Sequence, residues 1–325
     1  MYSFKMKLLK SNIQQPNIQK PIIENPIIQQ AIIQKPIIQQ AIIQKPSIII
    51  ILRGHIRDSF DNNKIYKYIS YLSNIYKLYI FIHTWNVKSN NISWRNIEKN
   101  NSIVNEDIIT NYFKNINIQK IFIDDETNVH LIGNVIGNIN TTLMPIKGWK
   151  YMWYGIYKIS NYILNNINKY DLDVNTYTLN IRLDYFTNST INQYNLNDLN
   201  SLYNFNSNDI QFMKNILHKN ALYGIDNIYF GKFYKIYYTA KLFHSNLDYI
   251  IECFEDIHCQ ERLVYILQKY INIYSDDYLY DNDYINLTIK IILTKLKINY
   301  IKSKNKPTNI LLNIKELSFY EKFTS

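Results

Sequence analysis

The hydrophobic pattern sharpens at residues 48–52, five consecutive apolar positions broken at once by Arg53-Gly54-His55-Ile56-Arg57-Asp58. A short continuous apolar run closed by a charged, glycine-containing loop reads as a strand buried on both faces. Across residues 61–77, Ile65, Ile69, Leu72 and Tyr76 recur at helical spacing, with Ser59 or Asp61 as the N-cap. Residues 78–84, LYIFIHT, form a second apolar run ending in His83-Thr84-Trp85-Asn86. Strand, helix and strand make a βαβ unit, whose right-handed crossover sets the two strands parallel.

The pattern continues as alternating helices and strands. A helix is predicted near residues 106–113, a third strand at 119–123, and a long aromatic helix at 145–168 carrying Trp149, Met152, Trp153, Ile156, Ile159 and Ile163. That stripe is the spacing of a core-facing helix. Residues 170–174 and 178–186 read as a strand or strand pair. In the second piece Arg182 and Asp184 alternate with apolar residues, so both project from one face, either paired or ligand-binding, or solvated on an edge strand. A short strand between Gly224 and Gly231, a helix over 232–251, a helix within 255–275 and an apolar run at 285–298 complete the pattern. The expected fold is α/β, a mainly parallel sheet flanked by helices over residues 47–325.

Residues 1–46 follow a different rule. From Ser11 they run as pentads, SNIQQ, PNIQK, PIIEN, PIIQQ, AIIQK, PIIQQ and AIIQK. Five residues match neither the helical nor the strand period, and the recurring proline removes amide donors. The prediction is a disordered low-complexity arm, with its isoleucine pairs available for docking.

Charge alters the picture little. The chain carries a formal +10, but residues 1–47 hold six lysines against one glutamate, so half of the excess belongs to the arm. The remaining +5 over the folded part gives no basic footprint of a nucleic-acid binder. Two cysteines, Cys253 and Cys259, are too few for a disulfide framework and lack zinc-site spacing. No run reaches the ~18 apolar residues of a membrane span. The expected setting is soluble and intracellular.

The chemistry-bearing residues gather after strands, where open α/β sheets bind ligands. Arg53, Gly54, His55 and Arg57 follow the first strand, with His83, Thr84 and Trp85 at the end of the second. The triplet Asp124-Asp125-Glu126 after the third either coordinates a divalent metal or is simply solvated. There is no GxxxxGK[ST] loop, GxGxxG fingerprint, HExxH pair or GxSxG elbow.

Taken in order, RGHIRDSF after a strand, FIHTW after a strand, a long Met/Trp helix, RLDYF, IDNIYFG and QERL resemble a group of bacterial and giant-virus glycosyltransferase-like proteins with a GT-A, Rossmann-like sheet. The resemblance covers about residues 48–274. It implies transfer of a sugar from a nucleotide-sugar donor to a glycan or protein acceptor, in the host cytoplasm if the chain is viral. By the same resemblance Arg53 to Arg57 and His83 to Trp85 hold the donor, with Arg182 and Asp184 beside it. Asp184 is then the candidate ligand for Mn or Mg, and Asp226 and Glu261 are the candidate catalytic carboxylates. Arg53, Arg57, His83, Asp184 and Asp226 are expected to line one concave pocket. The competing readings are a non-catalytic glycan- or nucleotide-binding protein on the same scaffold, and an interaction protein working through its isoleucine-rich arm.

Overall fold

The computed structural model describes residues 45–92, 97–139, 144–187, 223–225, 228–254, 260–274 and 282–304. The pentad repeats and Asp226 lie outside these residues. Within them the chain forms β1 (Ser47–Arg53), α1 (Lys64–Ile75), β2 (Lys77–Trp85), β3 (Val87–Ser89), β4 (Asn100–Ile103), α2 (Glu106–Tyr112), β5 (Ile118–Asp124), α3 (Ile146–Asn165), β6 (Tyr177–Arg182), β7 (Tyr223–Ile225) and β8 (Ile228–Lys232). The helices α4 (Phe233–Cys253), α5 (Gln260–Tyr274) and α6 (Asn282–Lys304) follow.

One sheet has the order β5-β2-β1-β6-β8-β7. β5, β2, β1 and β6 are mutually parallel, whereas β8 runs antiparallel to β6 and pairs antiparallel with β7. The chain builds outward from β1 through β2 to β5, then α3 returns it to the other side of β1. That reversal makes a topological switch point between β1 and β6, the place where α/β sheets open a crevice at their carboxyl ends.

Alternation along the strands divides the core into two layers. Ile49 and Ile51 of β1 and Tyr79 and Phe81 of β2 pack with Trp149, Trp153 and Ile156 of α3 and with residues of α4. Trp153 stacks on Phe243 of α4 with ring centroids 4.1 Å apart, which joins the two helices over the sheet. On the opposite face Ile48, Ile50, Leu52, Ile80 and Ile82 meet Ile65, Ile69 and Leu72 of α1 and Ile109 of α2. The result is a helix–sheet–helix sandwich, the α/β class that the alternating pattern predicts. No helix among the described residues is long and apolar enough to cross a membrane.

Several local expectations are corrected. Residues 170–174 are not a strand: a 3-10 turn, Ile167–Tyr170, ends at Asp171 with φ +52°, a left-handed backbone that cannot continue into a pleat. The single strand expected between Gly224 and Gly231 is the hairpin β7–β8. Neither Ser59 nor Asp61 caps α1. Its N-cap is Asn63 without a side-chain bond, and Asn62 Oδ1 accepts from the Lys64 amide at 2.9 Å, while the Ser59 hydroxyl donates to the Ile56 carbonyl. The hairpin β3–β4 carried no sequence signal, because its pairing rests on backbone bonds between mostly polar residues.

Candidate functional site

The parallel register sets a row of side chains at the carboxyl rim. Arg53 of β1 is aligned with His83 of β2 on one side and Arg182 of β6 on the other. Residues in register share a pleat, and Ile51 and Phe81, two positions earlier, face α3, so all three side chains lie on that face. Thr84, one residue off this period, falls on the opposite face. It is fully buried, away from the row.

Arg53 is only 2% exposed, and its Nε donates to Asn180 Oδ1 at 2.8 Å. Asn180 lies two residues before Arg182, so β6 supplies a polar strip on the face that β1 presents to it. The rim is closed by the backbone: Gly54 donates to the His83 carbonyl at 3.1 Å, and Leu183 donates to the Arg53 carbonyl at 2.8 Å. Gly54 has φ +92°, a conformation that a side chain would strain, and there the strand turns into the loop. Arg57 also has a positive φ, +46°, and its amide donates to the Lys88 carbonyl at 2.9 Å. The β3 strand therefore aims the Arg57 side chain, which no sequence pattern had indicated.

Asp184 is where the loops converge. Arg182 donates to it twice, from Nε to Oδ1 at 2.8 Å and from Nη2 to Oδ2 at 2.6 Å, while Arg57 Nη1 bonds Oδ2. Only 4% of Asp184 is exposed. Three guanidiniums and one carboxylate are thus assembled at the switch point. The alternative of β6 as a solvated edge strand is overturned, since β6 lies between β1 and β8.

The fit of a divalent cation at Asp184 is poor. Mn and Mg take carboxylate oxygens offered by several convergent ligands, whereas both Asp184 oxygens accept guanidinium N–H groups. The acidic triplet does not converge either: Asp124 binds His83 and Lys158, and Asp125 caps the following turn through the Thr127 amide and hydroxyl.

His83 has a different surrounding from the arginines. Its Nε2 donates to Asp124 Oδ2 at 2.9 Å, and Lys158 of α3 grips the same carboxylate at 2.6 and 2.7 Å. Burial favours the neutral imidazole and lowers its pKa, only partly offset by Asp124. Burial alone would raise the Asp124 pKa, but His83 and Lys158 outweigh it and hold the group at about 2. The ring meets Trp85 edge-on at 5.0 Å, and a Cβ on Gly155 of α3 would come within 2.5 Å of His83 Nδ1. His83 and Trp85 are therefore the seam between sheet and α3.

His55 sits between the arginine cluster and a second region. Burial first, then Arg57, pushes its pKa down to about 3, with Asp184, His83 and Arg182 also acting on it. Its Nε2 is 3.3 Å from Glu126 Oε1, without the alignment of a hydrogen bond. Glu126 accepts a bond from the Asn90 amide nitrogen and lines a cavity of about 430 Å³ with Asn90, Val129, Leu131, Lys147 and Tyr151 among its walls.

No family model, curated protein or solved structure matches the chain.

The site therefore rests on geometry alone. Arg53, Gly54, His55, Arg57, Arg182 and Asp184 come together at the switch point. His83 and Trp85 adjoin them but are occupied by α3, and Thr84 turns away. Asp226 lies outside the described residues, and Glu261 belongs to α5, with nothing to be said of its side chain. Sequence reasoning passed over Asn180 and Asn90. Asn180 had a readable signal, a polar residue two before Arg182 and flanked by Leu179 and Ile181. Asn90 had none.

Proposed function

We propose that this chain is a GT-A-like glycosyltransferase that takes a nucleotide-sugar donor at the β1–β6 switch point. The observation that carries the reading is the convergence of Arg57 and Arg182 on Asp184, with Arg53 in register beside Arg182, at the carboxyl ends of two parallel strands on either side of which the chain order reverses. Sugar transfer expels a nucleoside diphosphate, so the transition state gains anionic charge on the leaving group. Fixed guanidiniums placed in advance stabilise that charge with little reorganisation. Asp184 has an orienting part here: it holds Arg57 and Arg182 in one geometry.

The parallel half of the sheet and the FIHTW and RLDYF segments that end at its switch point are what the resemblance calls for. The test is a panel of uridine, guanosine and thymidine diphosphate hexoses, scored by the rise in melting temperature and by release of nucleoside diphosphate. The reading expects at least one donor to stabilise the protein and to be turned over. Stabilisation without release would assign a binding protein on this scaffold; no response to any donor would sink the transferase assignment.

A further inference from the structure

We propose that α6 binds the surface of an anionic lipid membrane, laying a ridge of Leu287, Ile291, Ile298 and Ile301 into the headgroup layer while its lysines meet lipid phosphates. The proposal stands apart from the donor reading and does not depend on it.

α6 is apolar on two opposite sides, and the fold uses only one of them. Ile285, Ile289, Ile292 and Leu296 are buried in the core layer shared with α3 and α4, and they fix the helix to the domain. Leu287, Ile291, Ile298 and Ile301 are instead between 40% and 52% exposed. At ~100° per residue these four fall within an arc of about 80°, centred opposite the buried row. Thr294 lies inside the same arc, but its hydroxyl donates to the Lys290 carbonyl at 2.8 Å, so its proton is already spent within the helix. The exposed apolar surface extends to α5, where the Tyr270 hydroxyl accepts from Asn299 Nδ2 at 2.6 Å and Ile273, one turn further on, faces solvent. A contiguous apolar row of this kind marks a contact surface, which a single exposed leucine does not.

Charge identifies what the row contacts. Residues 284–304 hold five lysines and no aspartate or glutamate. By the same helical period Lys290 and Lys297 stand about 60–80° to one side of the arc's centre, and Lys295 about 80° to the other. All three are exposed, and among the described residues none pairs with a carboxylate. Lys297 lies over the Tyr249 ring of α4 at 6.0 Å, a contact that leaves its charge unneutralised.

An apolar ridge between two lysine flanks is the arrangement of a helix lying in a lipid interface. The apolar side chains enter the acyl boundary, and the lysine stems carry their ammoniums out to the phosphates. A second copy of the chain fits less well, because ridge against ridge brings lysine flanks together with no carboxylate on residues 284–304 to separate them. The helix lies on the bilayer and does not cross it, since no helix among the described residues is long and apolar enough to do so. Its buried row holds it in place beforehand, so little ordering cost opposes binding.

The experiment is co-sedimentation of the full chain with vesicles of phosphatidylcholine alone and of phosphatidylcholine and phosphatidylserine in equal parts. The chain should bind the mixed vesicles, bind phosphatidylcholine weakly, and lose affinity as salt is added. Leu287→Gln with Ile291→Gln should lower the partition coefficient by about tenfold or more, and Lys290→Gln with Lys295→Gln by about 10- to 30-fold. All four positions are exposed and glutamine is a good helix former, so the melting temperature should hold. Ile103→Gln on β4 and Lys114→Gln after α2, also exposed, should bind as the wild type does. Absence of binding to the mixed vesicles would overturn the proposal. Equal binding by the wild type and both double variants would overturn it too, and would move the lipid contact to the lysines of residues 1–47. A wild-type dimer that Leu287→Gln with Ile291→Gln turns into a monomer, with no vesicle binding by either, would make the ridge a contact between copies and overturn it likewise.

Discussion

Replacing Asp184 by asparagine removes one negative charge from a place that has almost no water. The carboxylate is 4% exposed and accepts from Arg182 at both oxygens and from Arg57 at one. Asparagine keeps one acceptor oxygen but turns an N–H₂ towards a guanidinium, so at least one bond becomes a clash of donors. The two arginines are then left facing each other without the charge that held them. Removing one partner of a buried ion pair costs about 3–5 kcal/mol. With about 2–4 °C per kcal/mol for a domain of this size, the melting temperature should fall by on the order of 10 °C.

Thermal and urea unfolding followed by circular dichroism, without ligand, measures this directly. Asp61→Asn is the control: the Asp61–Lys88 pair spans 3.4 Å at the surface, with 60% of the Asp61 side chain exposed, and such pairs contribute about 0–1 kcal/mol. An Asp184→Asn protein as stable as Asp61→Asn would refute the reasoning, because it would mean the cluster is solvated. The expectation also changes how activity is to be read. Loss of turnover in Asp184→Asn does not by itself identify a catalytic role, and rates must be compared well below the mutant's own unfolding transition.

Two further outcomes follow from the packing and the buried imidazoles. Gly155→Ala, which in an exposed helix would stabilise by about 1 kcal/mol, should instead destabilise by about 1–3 kcal/mol through overpacking, since the new Cβ meets the His83 ring at 2.5 Å; a gain in unfolding free energy on urea titration would contradict the placement of His83. Stability should also fall on acidification from pH 6.5: His55 is pushed down to about 3 by burial and then Arg57, and His244 to about 4 by burial and then Lys150. Both stay neutral when folded and protonate when unfolded, so their contribution is complete above 6.5 and is lost towards those values. Equal urea midpoints at pH 7 and pH 5 would count against this, and His55→Asn should flatten part of the slope.

Much of the fold was legible because its strands are buried on both faces. Residues 48–52 and 78–82 are apolar without interruption, as central parallel strands are, and the register aligns them residue for residue. What escaped was set by the backbone. The β3–β4 hairpin buries little and left no periodic trace, yet Lys88 in it holds the Arg57 amide and so aims a guanidinium at Asp184. Asp171 ended a supposed strand through one left-handed residue, a choice that aspartate permits but does not announce.

The site shows the same division between pattern and partnership. Alternation alone puts Arg53, His83 and Arg182 on one face once the strands are known to be parallel and in register, so their neighbourhood follows from the sequence plus one topological fact. Their roles do not. His83 and Arg53 are equally buried rim residues, but Lys158 and Asp124 tie the first to α3, whereas Asn180 ties the second to β6. The acidic triplet makes the point most clearly. Three adjacent carboxylates become a half-buried anchor for His83 and Lys158, a turn cap, and a buried group on a cavity wall. The difference arises because β5 ends at Asp124, so each later residue leaves the sheet in a new direction and meets different partners. Composition set the supply of carboxylates, but the end of one strand decided which partners each of them meets.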